Sequence, residues 1–195
     1  MARKVKDRFR DWNLLHKSVV ALIAAFFVSV AYRAIIVIDS AFEVQQEAVL
    51  PYAAETIWPW IYTPERRTDW QAWQIDYAPY MGAPDKVEST RLARWKKEYK
   101  RWHAVERTTE VVQARVYATV QESDKDTRWF RVELTPEGPC STRVRLYDMV
   151  RPKGYEERFW FFTSLEDEQK RVDASLKALD RWVGGTSGAC AVTED

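Results

Sequence analysis

Few side chains in this sequence could do chemistry, and none sits in the spacing of a familiar catalytic motif. His103 is one of two histidines and the only one beyond His16. An imidazole base or a metal site would therefore centre on it. It lies in the run Arg101-Trp102-His103-Ala104-Val105-Glu106, where strand alternation sends neighbours to opposite faces. The competing reading is a surface or rim histidine. Asp148 alternates with Val144, Leu146 and Val150, which places a carboxylate on an apolar face. Burial raises a carboxyl pKa unless a cation pairs with it. Such a group could orient a ligand hydroxyl or act as a general acid/base. A bulge that turns it to solvent, or an arginine partner, would remove that role. Gln46, on the apolar face of the first predicted strand, is a second polar candidate. Tyr77, Trp95, Tyr117 and Phe130 have the size to line an apolar ligand cavity or to fill a core. Cys140, in the turn Gly138-Pro139-Cys140, and Cys190 could pair outside the cytoplasm, but nothing in the sequence brings them to bridging distance, and the reading is two thiols with no disulfide. GxSxG, HExxH, P-loop and dinucleotide-binding patterns are absent. No cofactor or metal set is expected.

The elements that must position these residues fall into two regions. Ser18 to Ile38 is 21 residues carrying one charge, Arg33. As a helix it would span about 31 Å, close to a bilayer core of about 30 Å. Arg3, Lys4, Lys6, Arg8, Arg10 and Lys17 precede it, while Asp39, Glu43, Glu47 and Glu55 follow. That asymmetry predicts a basic cytoplasmic arm over 1–17, a single-pass transmembrane helix over 18–38, and residues from about 40 onward outside, on the periplasmic side in a bacterium. A buried soluble helix, a cleaved signal peptide and an added interfacial helix in the basic arm are the competing readings. Residues 1–39 hold seven Lys/Arg and three Asp/Glu, leaving 23 and 26 for the rest, a net of about −3. No basic stripe is left to follow a phosphate backbone, so no nucleic-acid partner is expected.

Beyond residue 40 the pattern is α+β. Phe42–Leu50 alternates as a half-buried strand. Ala54–Tyr62 has helical spacing, with Pro59 acceptable only near the start or as a kink. Thr63-Pro64-Glu65 opens a second short helix running to Trp70. Strands follow at Trp73–Tyr77, Glu88–Lys96, Arg101–Val111, Arg115–Gln121, Arg128–Leu134 and Thr142–Val150. Leu165, Gln169, Val172, Leu176, Leu179 and Val183 repeat at helical spacing, and Gly184-Gly185 should stop that helix, leaving 184–195 as a flexible tail. The expected fold is a curved antiparallel sheet of about seven strands gripping a long C-terminal helix. Two short helices follow the first strand, and the domain covers 39–183. Trp58, Trp70 and Trp73 should pack the short helices under the sheet. Tyr80 with Met81, Trp102, and Phe159 to Phe162 are expected to stay exposed.

The stretch from Glu43 through Trp73 resembles the opening of the START/polyketide-cyclase-like superfamily (SRPBCC, helix-grip fold). Ile57-Trp58, Thr63-Pro64-Glu65 and Trp70 occupy the places of its usual strand, Val-Trp and Asp-Pro…Trp pattern. Arg128 to Gly154 resembles the paired last strands, and Ser175 to Val183 the final helix. The resemblance implies a cavity between sheet and long helix that holds lipids, quinones, polyketides or other apolar molecules. No catalytic motif is shared across the superfamily, so none carries over. Three functions follow. The first is a membrane-anchored module that binds an apolar ligand at the membrane surface, with membrane lipids as partners. The second is a non-catalytic accessory subunit of a larger membrane protein complex. The third, a cyclase or dehydratase, would need Asp148, His103 or a tyrosine in the cavity.

Overall fold

The computed structural model describes residues 14–37, 41–83 and 86–187. The chain divides into two units, 1–40 and 41–195. In the first, one helix, α1 (Leu14–Val37), has 24 residues and so spans about 36 Å. Leu22, Phe26, Phe27 and Val28 on it are exposed. By length and composition its stretch His16–Arg33, of mean hydropathy 1.3, is able to cross a membrane. The basic arm before Leu14 lies outside the described residues.

In the second unit the strands are β1 (Phe42–Leu50), β2 (Gln74–Met81), β3 (Thr90–Lys97), β4 (Lys100–Val112), β5 (Val116–Glu122), β6 (Asp126–Gly138) and β7 (Ser141–Pro152). Helices α2 (Ala54–Tyr62) and α3 (Pro64–Trp70) follow β1; α4 (Tyr155–Thr163) and α5 (Leu165–Ser187) follow β7. The strands form one antiparallel sheet in the order β1-β7-β6-β5-β4-β3-β2. This is a meander, closed at one side by the first strand pairing with the last, as consecutive short strands with tight turns dictate.

Alternation decides which residues face the helix. Val44 and Leu50 are buried while Glu43, Gln45 and Glu47 are exposed. Phe130, Val132, Leu134, Val144 and Leu146 join them on the concave side. Val172, Leu176, Leu179 and Val183 of α5 complete that core together with Ile57, Trp58 and Ile61 of α2. Burying such side chains stabilises by roughly 1.5–3 kcal/mol each. Trp70 is fixed further, because its indole N–H donates to the Trp60 carbonyl at 2.8 Å.

Two local features differ from the sequence-based expectation, and a third settles one of its alternatives. Pro59 sits inside α2 and not near its start; it removes one helix hydrogen bond, and burial of Ile57, Trp58, Trp60 and Ile61 offsets the loss. β6 runs on through Pro136 to Gly138 with an irregularity in register, so the hairpin turns at Gly138–Ser141. α5 continues through Gly184 and Gly185 to Ser187. A Cβ at Gly184 would lie 2.5 Å from the Tyr52 hydroxyl, so glycine there serves a close approach and not a stop. Residues 188–195 of the expected tail, with Cys190, lie outside the described residues, as does the Tyr80 side chain.

Candidate functional site

The concave face is mostly apolar beside β1 and β7, apart from the buried Asp148 of β7, and polar or charged towards β3, β4 and β5. Cross-strand pairing explains the layout. Arg128 of β6, Gln121 of β5, Glu106 of β4 and Arg91 of β3 are successive register partners, so they form one row across four strands. Arg67 reaches that row from α3, where i, i+3 spacing puts it on the same face as Pro64 and Trp70. Its Nη2 donates to Glu106 Oε1 at 2.7 Å, and both residues are fully buried. Gln121 Nε2 donates to Glu106 Oε2 at 2.7 Å, and Arg91 Nε stands 3.5 Å from Oε1. Arg91 Nη2 also donates to the Ser89 and Thr108 hydroxyls, each at 3.1 Å. The Arg67 guanidinium lies over the rings of Tyr77 and Tyr117, 4.5 and 4.9 Å from their centroids.

Burial pushes the Tyr77 phenol well above its ordinary pKa. The hydroxyl sits 2.7 Å from Gln74 Oε1 and 3.1 Å from Gln71 Oε1. Burial works to lower the Arg67 pKa, but Glu106, Tyr117 and Tyr77 hold it above the usual arginine range.

A second cluster ties α5 to the sheet. Arg128 Nη1 donates to Asp148 Oδ2 at 2.7 Å and to Glu168 Oε2 at 3.1 Å. Arg171 Nε donates to Glu168 Oε2 at 3.0 Å, and its Nη2 donates to Asp148. Burial, then the neighbouring Arg128 charge, pushes the Arg171 pKa well down. These interior carboxylates are each bonded to guanidinium groups. A proton-transfer role would first require that pairing to break.

Glu168 also forms part of the lining of an open cleft of about 770 Å³. Trp73, Trp102, Pro152, Trp160 and Phe161 give it apolar walls, and Lys97, Lys100, Lys125, Glu156 and Asp167 charge its rim. The cleft lies where the β3–β4 hairpin, the β5–β6 turn, α4 and the start of α5 meet. Lys97 bridges its two sides: Nζ donates to Asp167 Oδ2 at 2.6 Å and lies 4.5 Å from the Trp73 ring centroid. Trp102 stacks on Trp95 with ring planes 7° apart.

Of the candidates read from the sequence, Trp95, Tyr117, Phe130 and Asp148 are buried on the concave side, and Tyr77 and Gln46 are half-buried there. Phe130 packs on Trp70 and Tyr117 on Trp58, each with centroids 6.4 Å apart. None of the six lines the cleft. Asp148 faces inward as alternation implies, with two arginine partners, the competing arrangement named above. His103 is exposed on the opposite face of β4, and among the described residues no group of His, Cys, Asp and Glu could hold a metal ion. Trp73, expected as packing, instead walls the cleft from a turn where its φ is +71°. Met81 and Trp160 are exposed as expected, whereas Trp102 is half-buried.

Arg67, Arg91, Glu106, Gln121, Glu168 and Arg171 were not picked out by sequence reasoning. Two signals existed: Glu106 alternates with Trp102, Ala104 and Thr108, and Glu168 and Arg171 flank the apolar stripe of α5.

No protein-family model matches the chain, and no curated protein does. Solved structures do. A protein of Thermus thermophilus is 17% identical with a TM-score of 0.63, over 75% of this chain and 99% of that one. The Zhui aromatase/cyclase from Streptomyces sp. R1128 is 11% identical with a TM-score of 0.62, over 74% and 94%. A START superfamily protein from Mycobacterium smegmatis is 17% identical with a TM-score of 0.57, over 73% and 97%. At these identities the likeness is one of fold. Residues 41–187 therefore adopt the START/polyketide-cyclase-like helix-grip fold.

Proposed function

We propose that this chain is a membrane-anchored START-like module that takes an apolar or amphiphilic ligand at the membrane surface, in the cleft between the β3–β4 hairpin and α4. The cleft itself carries the reading. Its volume of about 770 Å³ falls in the range of about 300–1,000 Å³ usual for small-molecule sites. Tryptophan walls would take an apolar body, and the charged rim would take a polar head. This placement is favoured over a ligand among Tyr77, Trp95, Tyr117, Phe130 and Asp148, because Tyr77 and Tyr117 lie against Arg67, Trp95 against Trp102, Phe130 against Trp70, and Asp148 is held by Arg128 and Arg171. In this reading they form the layer behind the cleft floor. α1 supplies the anchor and keeps the module at high local concentration near its ligand.

The full-length protein, purified gently from its own membrane, tests this through the small molecules extracted with it. Thr163→Trp fills the cleft from an exposed position. It should reduce the co-purified ligand by at least about tenfold, the equivalent of some 1.4 kcal/mol of lost binding. An unchanged yield would move the ligand elsewhere. The ring contacts and ion pairs across the concave face also fit a second reading, the accessory subunit, which would give no small molecule in either protein and a stable association with a larger assembly.

A further inference from the structure

α4 distributes its side chains the wrong way round for a helix in water. Over Tyr155–Thr163 it has no buried residue. Tyr155 is 64% exposed, Phe159 49% and Trp160 61%. Glu157 and Arg158 are more shielded than Phe159 and Trp160 beside them. Positions 155, 156, 159, 160 and 163 make one outward stripe by helical spacing, and three of the five are aromatic. Phe159 and Trp160 meet edge to face, 5.7 Å between centroids. The polar ends lie together, with the Trp160 indole N–H 3.4 Å from Glu156 Oε1. A soluble domain ordinarily buries such a stripe.

The covalent chain indicates what covers it. Only residues 38–41 separate Val37, at the end of α1, from Phe42, at the start of β1. Five peptide steps reach at most about 18 Å. The Phe42 ring lies 5.0 Å from the ring of Phe161 on α4. With α1 anchored in a bilayer, so short a linker keeps β1, and the α4 that packs beside it, within reach of that bilayer's surface. Aromatic side chains with one polar end are the residues that favour the headgroup layer. Arg151 and Lys153, both exposed just before α4, add attraction to anionic headgroups.

We infer that the Tyr155–Phe159 face of α4, with Trp160 at its border with the cleft, is a membrane-docking surface that lies in the headgroup layer and orients the cleft towards the bilayer. This rests on the reading of α1 as a membrane anchor. The two are tested together in the full-length chain in its native membrane. The photoreactive residue p-benzoylphenylalanine is placed at Phe159, which is exposed and outside the cleft lining, or at His103 on the opposite face of the sheet. The membranes are washed with alkaline carbonate, irradiated, and the adducts are weighed by mass spectrometry. Retention of the chain, with lipid adducts at position 159 at least about tenfold above those at 103, is expected for a helix seated in the interface. Retention with equal lipid yields at the two positions would overturn the docking surface alone. So would adducts at 159 formed mainly with protein, which would make the face a protein interface. Release of the chain by carbonate would overturn the anchor and this inference with it.

Discussion

Replacing Glu106 by Gln should be among the most damaging single changes in the domain, although it alters neither size nor shape. Glu106 is fully buried and is the carboxylate that both Arg67, at 2.7 Å, and Arg91, at 3.5 Å, reach. Arg67 is itself fully buried, and Arg91 nearly so. The amide removes the countercharge of the fully buried Arg67 guanidinium and weakens the contact to Arg91. Breaking a buried pair in this way costs about 3–5 kcal/mol. At about 2–4 °C per kcal/mol for a domain of this size, the unfolding midpoint should fall by about 6–20 °C. Thermal and urea unfolding of the full chain in detergent, followed by near-ultraviolet circular dichroism, measures it. A double-mutant cycle with Arg67→Met should show coupling of about 2–3 kcal/mol, because the second change removes the stranded charge. A midpoint shift below about 3 °C, or strictly additive costs, would refute the description of this cluster as one tightly coupled unit.

Other changes separate the buried network from the surface. Arg143→Gln removes the partner of Glu137 and one of the two arginine partners of Glu47 on the exposed face, and should leave the midpoint almost unchanged in the same unfolding assay. Trp70→Phe deletes the bond to the Trp60 carbonyl and leaves a small void, so a loss of about 1–3 kcal/mol is expected. The Tyr77 phenol is held above its ordinary pKa, so its proton stays on in the folded chain while the unfolded chain releases it near pH 10. Stability tied to this group is therefore present below pH 10 and lost as pH rises beyond it. Tyr77→Phe should flatten the alkaline fall in urea midpoint. Glu47 and Asp167 have pKa values lowered chiefly by hydrogen bonds from Arg145 and Lys97. Their contribution is present above about pH 4 and lost as pH falls, so Glu47→Gln should shallow the acid fall.

The architecture was largely legible because packing imposes simple periods. Phe130, Val132 and Leu134 alternate, Val172, Leu176, Leu179 and Val183 repeat by turns of helix, and both patterns survive folding intact. The charged interior was much harder to see. A glutamate between Ala104 and Thr108 looks like any strand glutamate until the partner strands are known, and the partners of Glu106 come from α3, β3 and β5 at once. Asp148 stood out only because its own strand was so apolar. The cleft could not be read at all, since Trp73, Trp102 and Trp160 are far apart in sequence and meet through loop geometry. Gly184 misled for a related reason. Two successive glycines ordinarily end a helix, but here the missing side chain admits the Tyr52 hydroxyl.

The most direct test of the proposed function is native mass spectrometry of the full-length protein released gently from its own membrane. The account predicts a single chain carrying a discrete additional mass of a few hundred daltons, on the order of what a cleft of this volume holds, and loss of that mass in Thr163→Trp. A chain that leaves the membrane only within a larger protein assembly, with no small molecule bound, would contradict it.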